Sequence, residues 1–365
     1  MSEPYAAPFL RWAKTRPAVD YDLAASGLLP VSLAELLAGE PLTDWAEITG
    51  PAGDGFPPLR EAIGSRYGVA PDGVALAPGG AGANFLGCAA CLAPGDEVLV
   101  EWPAYDPLLA APRLLGAVTR RFARRPEAGF ALEPEAVRAA LTPRTRLIVL
   151  SHPHNPSGVA ASAAALAEVG AAAGALGARV LVDEVYREAP LRAGSPAPPS
   201  AALLGPEFIV TSSLTKAFGL AGLRCGWVLA EPELAARARA ARDAVDGSGV
   251  FLAEKLAALA LRKIELLAAR ARTLLEANFQ LVNEFMASRS DLDWCPPDAG
   301  TVTFPRRRDG ADSGRLAEHL LARYRTAIVP GRFFELPDHF RLSFGGPTEN
   351  LTAGLAALGA ALDGE

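Results

Sequence analysis

Between residues 74 and 229 of this 365-residue chain, short apolar runs alternate with helical stretches, and that alternation restricts the fold more than any other feature. Runs rich in Val, Leu and Ile fall at 74–77, 97–100, 147–150, 180–182, 208–210 and 227–229. None alternates apolar with polar residues. Such runs suit strands buried on both faces of a largely parallel sheet. The stretches at 58–67, 82–92, 134–141 and 160–176 carry helical periodicity. Pro58 stands just before Leu59, Arg60 and Glu61, where a helix start tolerates a residue without an N–H. Strand–helix alternation predicts an α/β architecture with helices on both faces of the sheet.

After about Pro232 the pattern changes. Helical periodicity runs through 234–245 and again through 251–285, too long for another crossover. Short strands at 301–304, 327–329 and 340–344 then mix with a helix at 313–324. The spacing predicts a large α/β domain over 46–250 and a smaller α+β domain formed by 1–45 with 251–365. SPAPPS at 195–200 reads as a surface loop, and no internal repeat is present.

Half the residues are hydrophobic and 21% are charged, enough for a buried core. The net charge of -6 argues against a nucleic-acid partner, which needs a positive surface, yet permits a local cationic pocket. Four cysteines in a chain this long make no disulfide framework. Cys88 and Cys91, in NFLGCAACLAPG, read as neighbours on one helix face, with no second C-x-x-C to complete a zinc site. The opening stretch, MSEPYAAPFLRWAK, has no apolar run fit for a signal peptide. The most apolar long stretch, 159–180, is mostly Ala and Gly and is interrupted by Glu168, so no membrane span is expected. A soluble, cytoplasmic protein is the expectation.

Four polar clusters stand at the carboxyl ends of predicted strands, where open α/β sheets bind ligands. They are APGG at 77–80, SHPHNPSG at 151–158, DEVY at 183–186 and TSSLTK at 211–216. Gly79, Gly80, Ala81 and Gly82 open a helix and offer N–H groups to a phosphate. Ser213 adds a hydroxyl and Arg224 a bidentate cation. Asp183 is costly at the end of a buried strand unless a cation faces it, as a protonated ring nitrogen would. Lys216, beside a cationic arginine and a bound cofactor, can present a deprotonated, nucleophilic amine. Asn155 can donate to a phenolate oxygen. Taken singly, each cluster has a plainer reading. The glycines and Asn155-Pro156-Ser157-Gly158 make turns, and Asp183 caps a helix. His152 and His154 read as loop residues and not as metal ligands.

Together, the clusters resemble the class I/II aminotransferases of the fold-type I pyridoxal-phosphate enzymes. SHPHNPSG looks like the family's asparagine loop and DEVY its aspartate strand end. SSLTKAFGLAGLRCGW resembles its lysine segment, with a serine three residues before the lysine and an arginine eight after. RLSFGGP at 341–347 resembles the segment that grips the substrate carboxylate. EVLVEWPAYDPL resembles the stretch whose aromatic residue stacks on the cofactor, and GFPPLREAI the helix start upstream. The matches run in family order from about 50 to 350.

The resemblance implies an aspartate-aminotransferase-like fold: a mostly parallel, seven-stranded type of sheet between helices, plus the smaller α+β domain. It implies pyridoxal 5′-phosphate as cofactor and amino-group exchange between an amino acid and a 2-oxo acid. Lys216 would be the Schiff-base lysine and proton carrier, and Asp183 would keep the ring nitrogen protonated. Asn155 and Tyr186 would bind the phenolic oxygen, and Tyr105 would stack on the ring. Gly80, Ala81, Gly82, Ser213 and Arg224 would hold the phosphate. Arg341, with Gly27 and Asn155, would hold the substrate, the arginine gripping its α-carboxylate. A homodimer with active sites near the interface follows from the same resemblance.

Two positions depart from the family pattern. Gly50 stands where the family usually has a tyrosine that reaches the partner subunit's phosphate. Ala81 stands where a hydroxyl residue is common. The same fold and cofactor also support β- or γ-elimination, replacement or cyclisation, which these motifs do not separate from transamination. A non-catalytic sensor domain would need a DNA-binding module, for which the first fifty residues are too few and not basic. Arg11, Trp12 and Trp102 are read as packing residues.

Overall fold

The computed structural model describes residues 7–50, 53–189, 191 and 196–364. Seven strands form one mixed sheet: β1 (Val74–Pro78), β2 (Glu97–Trp102), β3 (Val118–Ala123), β4 (Thr145–Ser151), β5 (Arg179–Asp183), β6 (Phe208–Ser213) and β7 (Cys225–Leu229). Their order is β1-β7-β6-β5-β4-β2-β3. β7 runs against both of its neighbours, and the pairs from β6 to β3 are all parallel.

Successive side chains in a strand point to opposite faces, so a run without polar residues must be covered twice. Val180 and Val182 of β5 join one core and Leu181 the other. Besides a single turn at Leu33–Leu36, the α-helices are α1 (Pro8–Thr15), α2 (Pro57–Tyr67), α3 (Gly79–Ala89), α4 (Asp106–Leu114), α5 (Pro134–Ala140), α6 (Ala163–Gly174), α7 (Pro232–Asp243), α8 (Phe251–Arg262), α9 (Ile264–Ala287), α10 (Ser313–Tyr324) and α11 (Thr348–Asp363). α3, α4 and α7 cover one face of the sheet. α2, α6 and α8 cover the other. A Cβ on Gly87 of α3 would lie 2.8 Å from a Leu181 methyl, so glycine lets this helix settle close to the sheet. Each fully buried Val or Leu at such contacts contributes about 1.5–3 kcal/mol.

The departures from the sequence reading have local causes. β3 carries the sequence VTRRFA and has no apolar run, because it is an edge strand with one buried residue, Phe122. α4 holds Pro107 in its first turn and Pro112 inside, which hides it from a reading that treats proline as a breaker. α3 begins three residues earlier than the apolar pattern, on its glycines, and ends at Ala89. Cys91 therefore lies in the turn beyond the helix, not on a face shared with Cys88. α6 starts at Ala163, where the Ser162 hydroxyl accepts from Ala165 N. The long helical stretch is two helices. Lys263 breaks it, and its ammonium donates to Leu36 O (2.9 Å) and Ala38 O (2.7 Å).

In the C-terminal part, Val302–Thr303 and Val329–Pro330 flank Phe340–Ser343 in an antiparallel sheet. Tyr21–Asp22 pairs in parallel with Thr326–Ala327, which ties the N-terminal segment to this part of the molecule. Of the proline-rich stretch at 195–200, residue 195 lies outside the described residues and the remainder is irregular. Among the described residues, no helix is long and apolar enough to cross a membrane, and no group of His, Cys, Asp or Glu could hold a metal ion.

Candidate active site

β1, β4, β5 and β6 all run in one direction, so Pro78, Ser151, Asp183 and Ser213 come out at the same edge of the sheet. β7 runs the other way and starts at that edge, with Cys225 opposite Pro78 and Gly226 opposite Ser213. Arg224, just ahead of β7, is thereby delivered to the same place. Its backbone is left-handed (φ 48°), and its guanidinium donates to Pro78 O at 3.3 Å.

This corner fits a phosphate. Gly79 has φ +75°, and a Cβ on it would collide with the Arg224 guanidinium. A Cβ on Gly80 would lie 2.9 Å from Val185 and 3.5 Å from Ser213 Oγ. The glycines thus leave an open cradle bounded by the free N–H groups of α3, a hydroxyl and a guanidinium, the donor set an oxyanion takes. Ser213 Oγ is 2.6 Å from Thr215 Oγ1, a second hydroxyl that the sequence reading did not single out. Ala81 is exposed in the first turn. Gly82 lies against the Pro78 ring, where a Cβ would come within 2.7 Å, so packing alone requires a glycine there.

At the centre, Asp183 is buried. Its Oδ2 accepts from Asn84 Nδ2 at 2.7 Å and its Oδ1 from Val185 N at 3.1 Å. Asn84 is held in turn by Thr211, whose hydroxyl donates to Asn84 Oδ1 at 2.5 Å. Burial pushes the Asp183 carboxyl up from its ordinary range, and the Asn84 and Val185 hydrogen bonds and the nearby Lys216 charge pull it part of the way back. A dry carboxylate in that state gains most from a cationic partner. Lys216 follows β6 and donates from Nζ to Ser26 Oγ at 2.8 Å. Tyr186 is buried, and its hydroxyl donates to Ser26 O at 3.3 Å. Burial pushes the Tyr105 hydroxyl up, with Tyr186, Arg341 and Asp183 all close enough to act on it.

Arg341 lies in Phe340–Ser343 and is fully buried. Nη1 donates to Asn155 Oδ1 (3.1 Å) and Nη2 to Ala24 O (3.2 Å), while Nε has no partner among the described residues. The rings of Phe9 and Phe334 lie 4.8 Å and 5.3 Å from the guanidinium carbon. A buried guanidinium that uses so few of its five donors is set for a planar anion such as a carboxylate. Losing two charge-assisted bonds costs about 3–4 kcal/mol. We therefore expect Arg341→Leu to lower kcat/KM for an amino-acid donor by roughly 10²–10³-fold while cofactor absorbance is retained. Steady-state kinetics with an unchanged kcat/KM would remove Arg341 from the site.

The structure thus gathers Gly80, Tyr105, Asn155, Asp183, Tyr186, Ser213, Lys216, Arg224 and Arg341 around one region, with Gly27 alongside, where a Cβ would lie 3.8 Å from Thr215 O. Trp12 packs against Phe9 and Phe333, and Arg11 is exposed. His152 and His154 are buried and bonded to the carbonyls of Pro199 and Pro103. At Gly50, any Cβ would run into the Phe251 ring.

Two further groups support this region without having been singled out in the sequence. Asn84 is the polar residue on an otherwise apolar face of α3, a signal that could have been used. Glu101 and Arg124 form a wholly buried ion pair at 3.2 Å. Glu101 Oε1 accepts from Ser151 N and Oγ, and that Oγ accepts from Asn155 N at 2.9 Å. Burial pushes the Glu101 carboxyl up to about 7 against the pull of Arg124 and Ser151. Nothing in the local spacing marks this pair.

The family model for aminotransferase class I and II matches residues 48–358. Capreomycidine synthase of Streptomyces vinaceus is 34% identical over 97% of this chain and 92% of its own. Among solved structures, a PLP-dependent aminotransferase from Streptococcus suis superposes with a TM-score of 0.92 at 26% identity, covering 100% of this chain and 98% of its own. The PLP-dependent cyclase OrfR gives 0.89 at 29% identity, with the same coverage.

Proposed function

Since the chain belongs to the class I and II aminotransferases, we propose that its Lys216 site moves an amino group between an amino acid and a 2-oxo acid with pyridoxal 5′-phosphate as cofactor. The observation that carries the reading is the placement of Asp183 and Lys216 within electrostatic reach of each other, between a phosphate cradle and a buried arginine with spare donors. When bound, the cofactor supplies an aldehyde for the amine and a ring that takes up the electron pair left at Cα. The chain's own residues do the rest. Gly80, Ser213 and Arg224 anchor the phosphate. Asp183 holds a proton on the ring nitrogen. Asn155 and Tyr186 would hold the cofactor's phenolic oxygen, and Tyr105 would pack against its ring. Arg341 orients the substrate by its carboxylate, and Lys216 moves the Cα proton.

A second reading is favoured by one observation. A synthase and a cyclase stand among the similar proteins at up to 34% identity, so a lyase-like or cyclising reaction on the same cofactor is the competitor. Incubating the holoenzyme with single amino donors separates them. Bleaching of the visible band that 2-oxo acids reverse, with oxo-acid product, is the expected result. Release of ammonia, loss of a leaving group or a cyclised product would establish the competitor.

We also propose a homodimer. Leu42, Ile48 and Val250 are exposed. Leu42 and Ile48 stand within three residues of Trp45, and Val250 adjoins Phe251; Lys255 faces both rings, so this region offers exposed apolar side chains for a second copy to cover. Light scattering is expected to give twice the monomer mass, and Ile48→Asp with Val250→Asp to shift it toward the monomer. A monomeric wild type would overturn this. The four cysteines are free thiols, which fits a reducing compartment such as the cytoplasm.

A further inference from the structure

Residues 23–29 cross the candidate site as an irregular strap tied down on both sides. On one side Ser343 N donates to Leu23 O (2.8 Å), Thr301 Oγ1 to Ser26 O (2.9 Å) and Leu29 N to Gly345 O (2.8 Å). On the other, Leu28 N donates to Lys216 O (3.3 Å) and Tyr186 OH to Ser26 O (3.3 Å). Asp22 Oδ1 accepts from Ala24 N and Ala25 N and so fixes the strap's entry. Ser26 lies between these anchors. Its hydroxyl accepts from Lys216 Nζ at 2.8 Å, the one hydrogen bond Nζ makes among the described residues.

Building on the aminotransferase reading, we propose that Ser26 is a further catalytic residue, whose hydroxyl holds the Lys216 amine in line with the substrate while that amine carries a proton. A lysine that acts as base is, at that moment, a free amine on a flexible four-carbon stem. One N–H given to Ser26 Oγ confines the nitrogen and turns its lone pair away from the serine. The lone pair takes the proton from substrate Cα, giving an ammonium, and the electron pair left behind passes into the ring. The ammonium then returns that proton to the former aldehyde carbon, and the amine is restored. Ser26 Oγ accepts from nitrogen in both states, so it need not move between the two transfers. As a neutral acceptor, it holds the amine without itself adding a charge that would keep it protonated. Misplacing a reacting group by about 1 Å costs up to about 10²-fold, which sets the scale of the effect.

The test compares Ser26→Ala and Ser26→Thr with the wild type as holoenzymes, in single turnovers with a donor deuterated at Cα. Ser26→Ala is expected to slow proton removal by about 10–100-fold and to enlarge the isotope effect, with donor Kd unchanged. Ser26→Thr keeps the hydroxyl and is expected to stay within about threefold of the wild type. A second readout needs no cofactor. Acetylation of Lys216 by acetic anhydride across pH, read by peptide mass spectrometry on the cofactor-free proteins, is expected to change by about fivefold in Ser26→Ala, the worth of one neutral hydrogen bond. Ser26→Ala behaving as wild type in both assays, or Ser26→Thr as slow as Ser26→Ala, overturns the assignment. The wild type's own conversion of donor to oxo acid judges amino transfer separately. A failure there leaves the acetylation comparison still able to decide the role of Ser26.

Discussion

A Lys216→Ala protein is expected to fold normally, lose the visible absorbance of bound cofactor and lose turnover by about 10⁴-fold or more. The argument for folding is local. Lys216 gives up one side-chain hydrogen bond, to a Ser26 hydroxyl that water can satisfy, at a cost of about 1 kcal/mol. The argument for lost chemistry is that one amine serves as both covalent anchor and proton carrier. Proton transfer alone supplies about 10²–10⁴-fold, and among the described residues no other amine meets Ser26. The phosphate cradle is untouched, so equilibrium dialysis should still find cofactor bound noncovalently. A small primary amine added to the solution should restore part of the rate. Circular dichroism matching the wild type, together with turnover within tenfold of it, would show that the lysine has been misassigned.

Asp183→Asn is expected to lower kcat by about 10²–10³-fold. The substitution keeps the shape of the side chain and removes its charge. An ion pair at about 4 Å is worth about 4 kcal/mol at an effective dielectric of 20, so an amide leaves the ring nitrogen without the partner that keeps it protonated. The variant has a second signature, in stability. Burial raises the Asp183 carboxyl, and an acid whose folded pKa lies above its unfolded value loses stability for the fold as pH rises through that interval. At neutral pH the cofactor-free Asp183→Asn protein should therefore have a Tm at or above the wild type's, and cofactor should raise it less. The Thr211 hydroxyl can rotate to accept, which lets Asn84 turn its oxygen toward the new amide. An unchanged kcat would remove the electron-sink role of Asp183.

The parts of the site that were legible in the sequence are those tied to strand ends. A buried strand must shed its polar residues at its carboxyl end, so Ser151, Asp183 and Ser213 could be placed on one edge before any coordinates. The parts that were not legible are brought in by tertiary structure. Ser26 meets Lys216 across 190 residues of chain. Glu101 and Arg124 look like ordinary surface charges in EVLVEW and RRFARR, and only the parallel pairing of β2 with β3 turns them inward together. β3 escaped for the opposite reason, since an edge strand has no need of an apolar run. The single long helix read over 251–285 failed because helical period continues across the interruption at Lys263, which leaves no pattern of its own.

The contact between Gly50 and the Phe251 ring bears on how this chain could change over time. Any side chain arriving at residue 50 meets an aromatic wall already braced edge-on by Phe56 at 5.6 Å. A tyrosine there requires the Phe251 ring to swing aside or residue 251 to shrink first, and so the order of substitutions bears on how readily a lineage can acquire it.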